Sequence, residues 1–145
     1  MTLYVINRLY TYSDKTNELK NIKTSKRIKI AAMRVKCLEY ILHHSQQEII
    51  YKKQLTDALW GERSPFVSDA NLTQILYLLR RDLKTLGLNH LFSTIPRTGI
   101  KVDAEIIVSS DHQKKLIFFN NTVHRPGVLL FIALFTFLTT LYLTH

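Results

Sequence analysis

Residues 68–87, SDANLTQILYLLRRDLKTLG, decide how the chain folds. Leu72, Leu76, Leu79 and Leu83 recur at helical spacing, which puts all four on one side of an α-helix. Ser68 or Asp69 suits the start of that helix, because a short oxygen-bearing side chain accepts from the orphan N–H groups of the first turn. Gly87 suits its end, where a left-handed residue closes the last turn. With the leucines inward, the opposite side shows Thr73, Gln74, Tyr77, Arg80, Arg81 and Lys84. Gln can bond adenine bidentately, Thr can meet a thymine methyl, and Arg can bond guanine or phosphate. Thr73, Gln74, Tyr77 and Arg81 are therefore the base-reading candidates. Ile75 and Leu78 interrupt this side with apolar surface of the kind a protein partner covers.

Outward from this helix, glycine and proline mark the element boundaries. A shorter helix fits residues 51–60, with Leu55, Ala58 and Leu59 inward and Gly61 ending it. Ahead of it, Ala31, Val35, Leu38 and Leu42 recur at helical spacing from about Ile30 to His44. Residues 2–22 are rich in β-formers separated by turn-prone pairs, which predicts a small antiparallel sheet. After Gly87, residues 91–95 and 100–102 read as two strands joined across Pro96-Arg97-Thr98-Gly99. The order is sheet, three helices, β-hairpin: an α+β chain with the layout of a winged helix-turn-helix. In that layout Lys52, Lys53, Arg80, Lys84, Arg97, Thr98 and Lys101 are placed for phosphates and the wing, setting register and salt dependence rather than sequence choice.

The 145 residues carry a formal net charge of +9, which calls for a polyanionic partner such as duplex DNA or an anionic membrane face. The densest basic run is Lys20, Lys23, Lys26, Arg27, Lys29, Arg34 and Lys36. Two readings of it stand side by side: attraction to DNA or the inner leaflet, or a solvated rim on the sheet and first helix. Residues 126–144, PGVLLFIALFTFLTTLYLT, contain no Asp, Glu, Lys or Arg. As a helix they would extend roughly 28 Å, close to the hydrocarbon thickness of a bilayer. Lys114, Lys115 and Arg125 precede them, so the positive-inside rule keeps the polar part in the cytoplasm. The expectation is one transmembrane helix at 126–144, a linker at 104–125 and a folded domain at 1–103.

Chemistry beyond binding has no visible basis. A single cysteine, Cys37, rules out an intrachain disulfide and any zinc site built from several cysteines. His43 and His44 are adjacent and point about 100° apart on a helix, a poor metal pair. No phosphate-binding glycine loop, nucleophile elbow or paired-carboxylate motif is present. No enzyme, no cofactor and no metal are expected.

The run Leu55-Thr56-Asp57-Ala58-Leu59-Trp60-Gly61 resembles the end of the second helix in OmpR/PhoB-type DNA-binding domains. Ser68-Asp69-Ala70-Asn71-Leu72-Thr73-Gln74, followed by Leu79-Arg80-Arg81, resembles their recognition helix, and Thr94 to Gly99 with Val102 resembles the wing. The pattern is most similar to the ToxR/CadC-like, membrane-anchored transcriptional regulators. The resemblance implies a single-pass protein of the bacterial inner membrane, with its third helix in the major groove and its wing at the minor groove of promoter DNA. It also implies that the loop holding Glu62, Arg63, Pro65 and Phe66 contacts RNA polymerase. The alternative is a winged-helix interaction module with impaired DNA contact, pairing through Ile75, Leu78 and the exposed sheet edge with a second membrane regulator or a second copy.

Overall fold

Alternation of inward and outward side chains builds the first sheet. In the computed structural model, which describes residues 2–109, β1 (Leu3–Ile6), β2 (Tyr10–Ser13), β3 (Glu18–Asn21) and β4 (Arg27–Lys29) run antiparallel in sequence order. The register sets Tyr4 opposite Tyr12, Tyr12 opposite Leu19, and Leu19 opposite Ile28, so one face of the ladder is continuously apolar. That face packs on the helices. Tyr12, fully buried, donates its hydroxyl to Glu39 Oε1 at 3.0 Å, joining the sheet to the first helix.

The helices are α1 (Met33–His43), α2 (Lys52–Trp60) and α3 (Asp69–Thr85), with a 3-10 segment, Gly61–Phe66, between the last two. Cys37, Leu38, Ile41 and Leu42 of α1 meet Leu55 and Leu59 of α2 and the four leucines of α3 in one core. Each buried leucine contributes about 1.5–3 kcal/mol. Arg34 on α1 and Asp82 on α3 form a largely buried ion pair at 3.2 Å. The wing consists of β6 (Phe92–Ile95) and β7 (Gly99–Val102), and a two-residue strand, β5 (Ile50–Tyr51), pairs with the outer side of β7.

Several expectations shift. The first helix begins at Met33 and not at Ile30, and Ala31 is exposed outside it. Tyr51 belongs to β5 and not to α2; Gln54 Oε1 accepts its N–H at 2.8 Å and starts the helix one residue later. Ala58 faces solvent, because Leu55 and Leu59 already fill the inward side. The sheet has a fourth strand at Arg27–Lys29, hidden in the sequence by its charged ends.

The largest shift is at the domain's end. The linker expected from residue 104 opens with a strand, β8 (Ile106–Ser109), which pairs antiparallel with β1 and makes the sheet five-stranded, in the order β4-β3-β2-β1-β8. Ile106 is buried opposite Ile6, and the compact unit runs to Ser109. The strand escapes notice because Ile106-Ile107-Val108 is a short run with no partner nearby in sequence. Among the described residues no helix is long and apolar enough to cross a membrane. The transmembrane expectation at 126–144 and the rest of the linker lie outside the described residues.

Candidate nucleic-acid interface

The leucine stripe fixes which side of α3 faces outward. Leu72, Leu76, Leu79 and Leu83 are buried, whereas Thr73, Gln74, Tyr77, Arg81 and Lys84 are all exposed. Tyr77 is 63% exposed, a large aromatic ring presented to solvent. At about 100° per residue these five side chains cover an arc of roughly 100°, centred about 140° round the helix from the leucines. Ser68 occupies the N-cap in extended conformation, as expected, without a side-chain capping bond. Gly87 sits just past the C-terminus with φ +84°, the left-handed close anticipated for it. Thr73 Oγ donates to the Asp69 carbonyl at 2.9 Å, and the residue as a whole is exposed.

Ile75 and Leu78 are half-buried, and Ile75 packs against the core. The apolar interruption of the polar side is thus partly absorbed by the fold. Phe66, 89% exposed at the end of the 3-10 segment, is instead the most exposed large apolar side chain described. Glu62, Arg63 and Pro65 are exposed beside it in the same segment. Ser64, half-buried, donates to Asp57 Oδ1 at 2.6 Å and ties the segment back to α2.

The phosphate candidates divide by what already holds them. Lys52 is bonded to Asp69 Oδ2 at 2.6 Å, bridging the starts of α2 and α3. Lys53 pairs with Asp57 one turn along α2 at 2.6 Å. Hydrogen bonds from Lys53 and Ser64 hold the Asp57 carboxyl below its ordinary pKa despite a small opposing desolvation. Arg80 lies over the Phe92 ring, 4.5 Å from its centroid, and donates to Thr94 Oγ at 2.6 Å. Burial lowers its pKa from the ordinary guanidinium range. Arg80 therefore joins α3 to the wing as well as carrying charge. Lys84, Arg97 and Lys101 are exposed and make no ion pair among the described residues. Arg97 occupies the wing turn with φ +63°, and Thr98 N–H donates to the Ile95 carbonyl at 3.1 Å within that turn.

Lys52, Thr73, Arg80, Thr94 and Gly99 line one cleft between α2, α3 and the wing. Lys52 N–H donates to the Thr98 carbonyl at 3.0 Å, so the start of α2 and the wing turn are fixed to each other. Arg81 and Lys84 lie farther along α3, and the Glu62–Phe66 side chains form a separate projection. Phe92, Thr94 and Asp69 went unanticipated as partners of the charged candidates, because each comes from a different element and no local spacing announces the pairing.

No family model matches the chain, and no curated protein matches it. Solved structures do match. The DNA-binding domain of E. coli CadC aligns with a TM-score of 0.62 at 17% identity, covering 74% of this chain and 96% of that one. The fold is a winged helix. The C-terminal domain of the nisin resistance regulator NsrR, a lantibiotic response regulator, aligns with a TM-score of 0.53 at 21% identity, covering 65% of this chain and 90% of that one. Both are winged-helix domains of the OmpR/PhoB type, the type the sequence motifs resemble. In this winged helix α2 and α3 are the two helices ahead of the wing, β6 and β7 are the wing, and the five-stranded sheet packs on the helices from the other side. No three or more His, Cys, Asp or Glu side chains converge into a metal-binding group among the described residues.

Proposed function

We propose that this protein is a transcriptional regulator whose winged helix binds promoter DNA and whose segment 126–144 anchors it in the bacterial inner membrane, with the N-terminal domain in the cytoplasm. The observation that carries the DNA reading is the division of α3: a leucine side wholly committed to the core, and a Thr73, Gln74, Tyr77 and Arg81 side wholly available. A helix of this kind enters the major groove with its N-terminal residues on base edges. Lys52, Arg97, Thr98 and Lys101 then meet flanking phosphates, and the wing turn reaches the adjacent minor groove. The likeness to domains of two known regulators supports the same reading. The Glu62, Arg63, Pro65 and Phe66 projection is offered to RNA polymerase.

The experiment is a binding titration of the protein against the DNA upstream of its own gene at several salt concentrations. Direct binding gives log affinity falling linearly with log salt, about 0.9 per neutralised phosphate. Binding that is absent, or indifferent to salt, overturns the proposal and favours an interaction module. That second reading now rests on Phe66 and the half-buried Leu78, since Ile75 is engaged by the core. Fractionation of cells tests the anchor: a full-length chain in the soluble fraction refutes it.

A further inference from the structure

The β3–β4 hairpin, residues 18–29, carries Lys20, Lys23, Lys26, Arg27 and Lys29 against one acid, Glu18. Leu19 and Ile28 turn toward the core, so period-two alternation sends Lys20, Arg27 and Lys29 to the opposite face. The register sets Lys20 directly opposite Arg27. Like charges in that position destabilise a two-stranded ladder. Glu18, directly opposite Lys29 and 4.0 Å from Arg27, offsets part of this charge and leaves the face net positive. Asn21 Oδ1 accepts the N–H groups of Lys23 and Thr24 at 2.9 and 3.1 Å, so the turn holding exposed Lys23 has a defined shape. Lys26 alone has a structural task, donating to the Thr85 carbonyl at the end of α3 at 2.8 Å.

The hairpin sits at the C-terminal end of α3, beside Lys84 and away from the N-terminal base-reading candidates Thr73 and Gln74. Lys26 and Asn21 bind the Thr85 and Leu86 carbonyls at the C-terminus of α3, whereas Lys52 and the wing turn lie at its N-terminus. The 17 residues of α3 span about 25 Å. From Thr73 to Thr85 the axial distance is about 18 Å, roughly two Debye lengths at physiological ionic strength, so a duplex seated on Thr73 and Gln74 does not neutralise the hairpin charge. Lys20, Arg27 and Lys29 project from one face of the ladder, an arrangement spread over two strands that suits a surface of anionic groups better than a single enclosed ion. The sequence supplies such a plane: Lys114, Lys115 and Arg125 precede nineteen uncharged, largely apolar residues at 126–144. We infer that the outer face of the 18–29 hairpin is a docking surface for an anionic lipid bilayer, separate from the DNA-binding end of the domain.

The test uses the full chain carrying Ser25→Cys, labelled at that exposed turn position while buried Cys37 stays unreactive. The labelled chain is added to vesicles of phosphatidylcholine alone or with phosphatidylglycerol, each containing a headgroup quencher. Docking predicts at least about fivefold more quenching on the anionic vesicles, reversed by high salt. Lys20→Glu with Arg27→Glu and Lys29→Glu returns it to the neutral-lipid level. The milder pair Lys20→Gln and Lys29→Gln gives an intermediate loss, and circular dichroism verifies folding of both variants. Equal quenching on the two lipids, or quenching that survives the substitutions, overturns the inference. So does a variant that keeps its lipid contact but loses about tenfold in duplex affinity, which assigns the hairpin to DNA. Failure of the wild-type chain to bind DNA, with the lipid contact intact, removes the proposed regulator function and leaves the docking surface standing.

Discussion

Gly99 is the residue where the wing and the strand ahead of α2 come closest. A Cβ added there lies 2.1 Å from the Ile50 carbonyl oxygen and 2.9 Å from Tyr51 Cα, both backbone atoms that cannot swing aside. Gly99→Ala therefore separates β5 from β7 and lowers stability by roughly 1–3 kcal/mol, visible as a fall in thermal midpoint. The residues proposed to read bases carry an opposite prediction, since Gln74 and Arg81 are exposed on the outer side of α3. Gln74→Ala or Arg81→Ala leaves the melting temperature unchanged and costs about 1–3 kcal/mol in promoter binding, with relaxed choice at one base position. A loss equal across all sequences would move that residue to the phosphate group. Cys37 and Tyr12 add a dependence on pH. Burial pushes the Cys37 thiol up from 9.0 to about 12. Burial, and then the hydrogen bond to Glu39, raises the Tyr12 phenol above its ordinary 10.0. Both groups stay protonated in the folded chain and titrate at ordinary values when unfolded. Stability is therefore whole below about pH 9 and declines as the pH rises toward 12. Denaturant midpoints measured from pH 7 to 11 check this, and Cys37→Ala flattens the decline.

Among the elements, α3 shows what the sequence discloses and what it withholds. Its leucine stripe, its Ser68 start and its Gly87 close are local signals, written within a few residues of one another, and the structure places all three as expected. The wing hairpin was equally legible from Pro96 and Gly99. The partners of the charged residues were not. Lys52 faces Asp69 across two helices, and Arg80 reaches Phe92 and Thr94 in the wing. Such pairs depend on tertiary approach, which periodicity does not encode. The Lys52–Asp69 pair has a consequence for binding, because a phosphate at Lys52 must displace a carboxylate. Asp69→Ala thus strengthens non-specific duplex binding and steepens the salt dependence by about one phosphate contact. It also removes an acid from the first turn of α3, at a cost of about 0.3–1 kcal/mol in stability. An unchanged salt slope would show that Lys52 does not meet DNA.

On the scale of the whole molecule, β8 redraws the boundary of the folded unit. Residues 106–109 look like the start of a linker when only near neighbours are considered, because their partner, β1, is at the other end of the chain. A chain ending at Asp103 loses that strand, bares the edge of β1 and uncovers Ile6. It should melt at a lower temperature and associate more readily than one ending at Ser109, as scanning calorimetry and sedimentation can establish. Equal behaviour of the two would make β8 dispensable.

The pairing of first strand with last also sets how the domain meets mechanical load. Whatever pulls on the chain beyond Ser109 enters the winged helix through the four residue pairs from Leu3–Ser109 to Ile6–Ile106. Those rungs lie in the sheet, whereas α3 is held by its leucines in the core. The β1–β8 ladder, and not the helical core, is thus the domain's first point of purchase for load from the tail.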